Sequence, residues 1–153
     1  MTQIIKRNGK IVEFDPNKIL ARIKEQGKNL NVDCDLLARN TIGSMSSDMT
    51  TDDIDTLIYY KAIDMIKHHT DYGAFAGKIN ITRHGKLIGV KPKPSDLTYN
   101  YISSTVFLDS YSLKDENRTP IELPSISAKR IGNALGKTRE EKELFTNYIE
   151  NRK

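Results

Sequence analysis

Ile4-Ile5-Lys6-Arg7-Asn8-Gly9-Lys10-Ile11-Val12-Glu13-Phe14-Asp15-Pro16-Asn17-Lys18-Ile19 decides how this chain begins to fold. Ile4–Arg7 and Lys10–Phe14 are short β-prone runs, and the Asn8-Gly9 pair between them tolerates positive φ at both turn positions. Two such runs joined by Asn-Gly predict a β-hairpin. Asp15-Pro16 follows at once: Asp caps a helix and Pro fits its first turn. Ile19, Leu20 and Ile23 then recur at helical spacing until Gly27 closes the run.

Three more helices are predicted downstream. Asp33 starts the second, with Leu37, Ala38, Thr41, Ile42 and Met45 on one face. Thr50-Thr51-Asp52-Asp53 opens the third with a hydroxyl cap and an acidic first turn. Its apolar stripe is Ile54, Leu57, Ile58, Ala62, Met65 and Ile66, and it is expected to end near His68-His69. The fourth begins near Asp71-Tyr72 and runs through Phe75, Ile79 and Thr82 to an expected stop at Gly85. One hairpin and four helices in about 85 residues make a small α+β unit.

The character changes after residue 86. Lys91-Pro92-Lys93-Pro94-Ser95 reads as an extended linker. Residues 97–113 are rich in aromatic and β-branched side chains (Tyr99, Tyr101, Ile102, Val106, Phe107, Tyr111), which predicts one or two strands. The four aromatic residues of this stretch read as a small core rather than a base-stacking platform. A helical pattern returns from Ser127 with Ala128, Ile131, Ala134 and Leu135, stopped by Gly136, and a last amphipathic segment covers about 138–150.

Composition bounds the function. The chain has 153 residues, which predicts one domain, or one small domain with an appendage. Its single cysteine, Cys34, excludes an internal disulfide and a cysteine-based zinc site. No run of about 18 apolar residues is present, so no spanning segment is predicted. The N-terminus has no basic-then-apolar signal region, and a cytoplasmic location is the expectation. A net charge of +4, divided evenly between the halves, makes neither half an electrostatic tail.

Charged residues concentrate around the hairpin. Lys6, Arg7 and Lys10 flank the Asn8-Gly9 turn, and Lys18 lies in the first turn of the next helix. Strand side chains alternate, so Lys6 and Arg7 point to opposite faces. Thr51 offers a hydroxyl at a helix N-terminus, where backbone N–H groups attract anions. Lys78 and Lys86 add positive charge on the fourth helix. Lysine point charges, an arginine fork and helix N-terminal donors suit a polyphosphate. Charge alone leaves a solvated surface as the simpler reading.

Three ordered blocks resemble the ATP-cone domain, the regulatory nucleotide-binding module of many ribonucleotide reductase large subunits and of the bacterial reductase-gene repressor. They are Ile4–Ile19, Met49-Thr50-Thr51-Asp52-Asp53-Ile54-Asp55-Thr56-Leu57, and Asp71-Tyr72-Gly73-Ala74-Phe75-Ala76-Gly77-Lys78-Ile79. The resemblance covers about residues 2–86. It implies a four-helix bundle capped by the β-hairpin, with ATP or dATP between them and Mg2+ as an optional companion of the triphosphate. By the same resemblance Ile4 borders the base or ribose. Lys6 and Arg7, beside Asn8 and Gly9, meet the phosphates or the base edge, Lys18 binds phosphate, and Lys86 closes on the triphosphate. Thr51 and Asp55 sit near the nucleoside, where Asp55 accepts from the adenine amino group or a ribose hydroxyl. Lys78 stands where the family has Arg, and the fork geometry is lost with it. His84-Gly85-Lys86 replaces the more usual Leu-His-Lys.

The expected organisation is therefore an ATP-cone over 1–88, a linker over 89–96, and a small mixed C-terminal extension over 97–153 for docking or oligomerisation. The chain is too short for a reductase catalytic barrel and lacks its cysteines, so a non-enzyme is expected, with a ribonucleotide reductase subunit as partner. The alternative is a nucleotide-responsive DNA-binding regulator. Ile126–Thr138 offers a helix, a Gly turn and a second helix, with Lys129 and Arg130 facing phosphates. Glu140, Glu141, Glu143 and Glu150 on the second helix oppose it. A third reading is a cone that has lost its nucleotide and serves as a structural interaction module. His68 and His69 are adjacent and point about 100° apart, so they do not chelate one metal, and they read as helix C-terminal residues complementing the dipole. His84 reads as surface, and Cys34 as a partly buried thiol.

Overall fold

The computed structural model describes residues 2–152. The chain opens with β1 (Gln3–Ile5) and β2 (Ile11–Glu13), paired antiparallel with Ile4 opposite Val12. The turn between them differs in type from the expected two-residue form. Gly9 N–H donates to Lys6 O (2.8 Å), Lys6 N–H donates to Lys10 O (2.9 Å), and only Gly9 takes positive φ (79°). This is a three-residue loop with the bulge glycine in the left-handed region. Asn8 contributes through its side chain, whose Oδ1 accepts from Lys10 N–H.

Helix α1 (Pro16–Gln26) starts where Asp15 accepts from Asn17 N–H, with Pro16 in the first turn. Helix α2 (Cys34–Ile42) is capped by Asp33, which accepts from Leu36 N–H. A short strand, β3 (Met49–Thr50), pairs parallel with β1, so β1 is the central strand of three. Thr50 then closes a capping box with Asp53 and starts α3 (Thr51–Asp64). Helix α4 (Asp71–Ile88) follows.

Two expected ends move. Helix α3 stops at Asp64, short of His68-His69, and His69 instead accepts from Asp71 N–H at the start of α4. Helix α4 runs past Gly85 to Ile88 and ends at Gly89, which takes the left-handed conformation (φ 73°). Gly85 is needed for a different reason: a Cβ there lies 2.6 Å from the Val90 carbonyl, where the chain folds back.

Helix α1 packs on α2, α2 on α3 and α3 on α4, and α4 returns to touch α1. Their shared interior includes Ile23, Leu37, Ile58, Phe75 and Ile79, all 0% exposed. Full burial of each such side chain contributes about 1.5–3 kcal/mol. Ile4 and Phe14 bring the hairpin onto this cluster.

The C-terminal segment is helical, which corrects the expectation of one or two strands in 97–113 and of a mixed extension. A 3-10 turn (Asp96–Thr98), α5 (Tyr101–Val106) and a π turn (Phe107–Tyr111) precede α6 (Pro124–Leu135) and α7 (Arg139–Glu150). Two-way capping between Asn100 and Ser103 starts α5. Docking on α4 then overrides the β propensity of its side chains. The approach is close: a Cβ on Gly77 lies 1.9 Å from the Tyr99 carbonyl. Tyr59 and Thr105 hydroxyls (3.0 Å), and Asn80 Nδ2 to Ser104 Oγ (3.0 Å), join the two segments. Of the four aromatics expected as a small core, Tyr99 and Phe107 pack edge to face, Tyr101 joins the N-terminal core and Tyr111 is exposed.

The stretch expected as a linker ends at Asp96, which is 1% exposed. Asp96 accepts from Lys93 N–H (2.9 Å), Ser125 N–H (2.7 Å) and Ser125 Oγ (2.8 Å), and so serves the first turn of α6 from across the fold. Among the described residues no helix is long and apolar enough to cross a membrane.

Candidate functional site

A cavity of about 250 Å³ lies beneath the hairpin, between β1, β2, α1, α3 and α4. Pleating turns Ile4 and Lys6 to the same side of the first hairpin arm and Val12 and Phe14 to the same side of the second. These four border the cavity from the hairpin. Ile19 from α1 and Ile54 and Ile58 from α3 complete an apolar surface. Lys6, Lys18, Arg22 and Lys86 supply positive charge against Asp15 and Asp55, and the Asp15 carboxylate also caps α1. Thr51 brings the N-terminus of α3 to the rim.

Asp55, 5% exposed, anchors the polar side. Its Oδ1 accepts from Arg22 Nε (3.1 Å), and its Oδ2 accepts from Arg22 Nη2 (3.3 Å) and Lys86 Nζ (2.9 Å). Arg22 Nη2 also donates to Thr82 Oγ1 (2.8 Å). One buried carboxylate thus positions two cations at the cavity wall, and removing it leaves both without their anion. Both Asp55 oxygens already accept from protein cations, an arrangement absent from the expected contact with a nucleoside.

Of the ten residues singled out by sequence, Ile4, Lys6, Lys18, Thr51, Asp55 and Lys86 meet at this cavity. Arg7, Asn8, Gly9 and Lys78 do not border it. Arg7 extends over the rim to within 3.9 Å of Asp52. Asp52 is itself held by Arg83 through Nε (2.9 Å) and Nη2 (2.7 Å). Asn8 and Gly9 build the turn, and Lys78 lies elsewhere on α4. Arg22 was not singled out, yet it holds the central carboxylate. The usable signal was spacing, since Lys18 and Arg22 are four apart on one helix face, as are Thr51 and Asp55.

Other side chains resolve as follows. His84 is 5% exposed, a correction to the expected surface histidine. Burial pushes its imidazole below the usual value, and Arg83 adds to that, while a hydrogen bond to the Glu122 backbone opposes it. Cys34 is partly buried, and burial raises its thiol, which keeps it inert. Arg130, read as a DNA phosphate contact, is held by Glu122 through Nε (2.7 Å) and Nη2 (3.0 Å). That pairing holds the Glu122 carboxyl below its usual range. Among the described residues no group of three or more His, Cys, Asp or Glu side chains is placed to hold a metal ion.

A family model described as ATP cone domain matches residues 2–84, more than half of the chain. The match runs from β1 through most of α4, the elements that enclose the cavity. No curated protein matches the chain.

Proposed function

The chain belongs to the ATP-cone family, and on that premise we propose that it is a non-catalytic sensor of ATP and dATP that regulates a ribonucleotide reductase subunit or its assembly. The observation that carries this reading is the cavity beneath the hairpin, apolar on one side and cationic on the other. The base and ribose lie against Ile4, Val12, Phe14 and Ile54. The phosphates lie toward Lys6, Lys18, Arg22 and Lys86, with Thr51 and the α3 N-terminus as further donors. Mg2+ travels with the triphosphate. The helices α1–α4 act as a four-helix bundle under a β-hairpin lid, and the rest of the chain faces the partner or a second copy.

Regulation follows from linkage. ATP and dATP shift a partner only to the extent that the two occupied forms differ in affinity for it. The DNA-binding alternative is disfavoured, because Arg130 is committed to Glu122 and α7 begins with Glu140 and Glu141.

Titration calorimetry tests the reading. ATP and dATP each give saturable binding to the intact chain. Lys6→Ala weakens ATP by more than fivefold, about 1 kcal/mol, and leaves adenosine unchanged. Absence of ATP heat overturns nucleotide sensing, and an unchanged ATP affinity in the variant removes Lys6 from the phosphate path.

A further inference from the structure

A second cavity, about 400 Å³, lies on the other side of α3, between α3, α4, the π turn and residues 119–120. It is built from both halves of the chain and shares no residue with the cavity beneath the hairpin. Its volume falls in the range of small-molecule sites.

The wall chemistry narrows what fits. Tyr59 and Tyr60, packed edge to face with centroids 5.2 Å apart, join Leu87, Leu108 and Pro120 as an aromatic and apolar surface. Arg83 borders the cavity, but two of its guanidinium nitrogens are bound to Asp52. Asp109 adds an exposed carboxylate. An anion is therefore a poor occupant.

Along the wall made by Asn80, His84 and Asp109 the unused hydrogen-bonding capacity includes acceptors, while the Tyr60 and Thr119 hydroxyls stand on other parts of the lining. His84 borders the cavity, and its buried Nε2 has no partner among the described residues. A neutral imidazole accepts at whichever nitrogen lacks the proton, so a donor facing Nε2 selects the tautomer that carries the lone pair there. Asn80 spends its Nδ2 on Ser104 Oγ, which leaves its carbonyl oxygen to accept. The Asp109 carboxylate is a third acceptor. A buried polar nitrogen without a partner carries a penalty that a ligand's donor removes. The π turn supplies Leu108 and Asp109 to the same wall, closing with Ser112 N–H on Phe107 O (2.9 Å). Single π turns are concentrated at functional sites.

We propose that this junction cavity binds an uncharged aromatic ring bearing an exocyclic amine, of the nucleobase or nucleoside class, with the ring against Tyr59, Tyr60 and Leu108 and the amine toward the acceptors of Asn80, Asp109 and His84. This goes beyond nucleotide sensing at the hairpin and stands without it.

Cytidine and uridine make the test, because they differ at the position where one carries an amine and the other a carbonyl. Each is titrated into the intact protein and followed by NMR of the His84 and tyrosine rings and of the Leu87 and Leu108 methyls. Cytidine shifts these signals saturably. Uridine binds at least tenfold more weakly, as expected when a donor is exchanged for an acceptor facing acceptors. Asp109→Asn, an exposed change that leaves the fold intact, weakens cytidine severalfold. The proposal is overturned if no junction signal saturates by about 10 mM cytidine, a ceiling set by the weak end of specific binding. It is equally overturned if the shifts fall only on Ile4, Val12 and Phe14, or if both nucleosides bind alike and Asp109→Asn has no effect.

Discussion

In residues 2–88 the side chains at 0% exposure include Ile23, Leu37, Ile58, Phe75 and Ile79, with Thr41 the polar one among them, whereas in residues 96–152 Asp96 and Ser104 are buried as deeply as Leu123 and Ala128. The first half is organised by apolar burial around a common centre. The second is organised by directional contacts: Asp96 to Ser125, Glu122 to Arg130, Asn80 to Ser104 and Tyr59 to Thr105. Its last helix, α7, buries no residue and packs chiefly on α6. Apolar burial survives small displacements, while a buried hydrogen bond must be made well or it becomes a penalty. The second half therefore depends on well-made contacts with the first, to whose core it contributes Tyr101.

The largest expected effect breaks the first half. Phe75→Ala removes a side chain that is 0% exposed and should cost about 3–5 kcal/mol in urea denaturation, lowering both halves together. A loss confined to α5–α7 contradicts the comparison. Asp96→Ala orphans the Ser125 N–H and hydroxyl and the Lys93 N–H, at about 1–3 kcal/mol. Hydrogen exchange should then show lost protection in α6 and α7 with α1–α4 intact, and uniform loss across both halves removes the distinction.

Gly77→Ala sharpens the same point at the seam. The new Cβ meets the Tyr99 carbonyl and the Asn100 backbone, so main chain must shift, and overpacking of about 3 kcal/mol outweighs the roughly 1 kcal/mol of helix propensity gained. The net loss is about 2 kcal/mol, and the Tyr59–Thr105 and Asn80–Ser104 contacts should loosen in NMR spectra while the Phe75 surroundings stay unchanged.

Acid titration gives the mildest effect. His84 is held below 6.5 by burial, with Arg83 beside it, so the unfolded chain takes up the proton first. The stability carried by the neutral ring is complete above pH 6.5 and is lost as pH falls from there toward the folded-state value. Melting temperature between pH 7.5 and 5.5 should decline, and His84→Gln should flatten that decline. An unchanged slope in the variant assigns the loss to other groups.

Legibility followed the same division. Asn8-Gly9, Asp15-Pro16, Asp33 and Thr50 are local signals, and each marks an element boundary where it was read. The strand β3 was invisible because two residues pair only when the chain returns beside β1. Helix α5 was misread because Tyr101, Ile102, Thr105 and Val106 favour strands until Asn100 caps them and α4 receives them. At the cavity, Lys6, Lys18, Thr51 and Lys86 were legible from charge and position and Ile4 and Asp55 through the resemblance, whereas Val12 and Phe14 were not singled out. The pairing of Arg22 with Asp55 links positions 33 apart, and nothing local to either announces it.

β1 is hydrogen-bonded along both edges, to β2 and to β3, and β3 passes without a gap into the first residue of α3. The roof of the cavity is thus fastened to one of its own walls. Hairpin and helix end are therefore one continuous hydrogen-bonded unit through Thr50 and Thr51. The same helix thus borders the cavity beneath the hairpin on one side and the seam with the C-terminal half on the other.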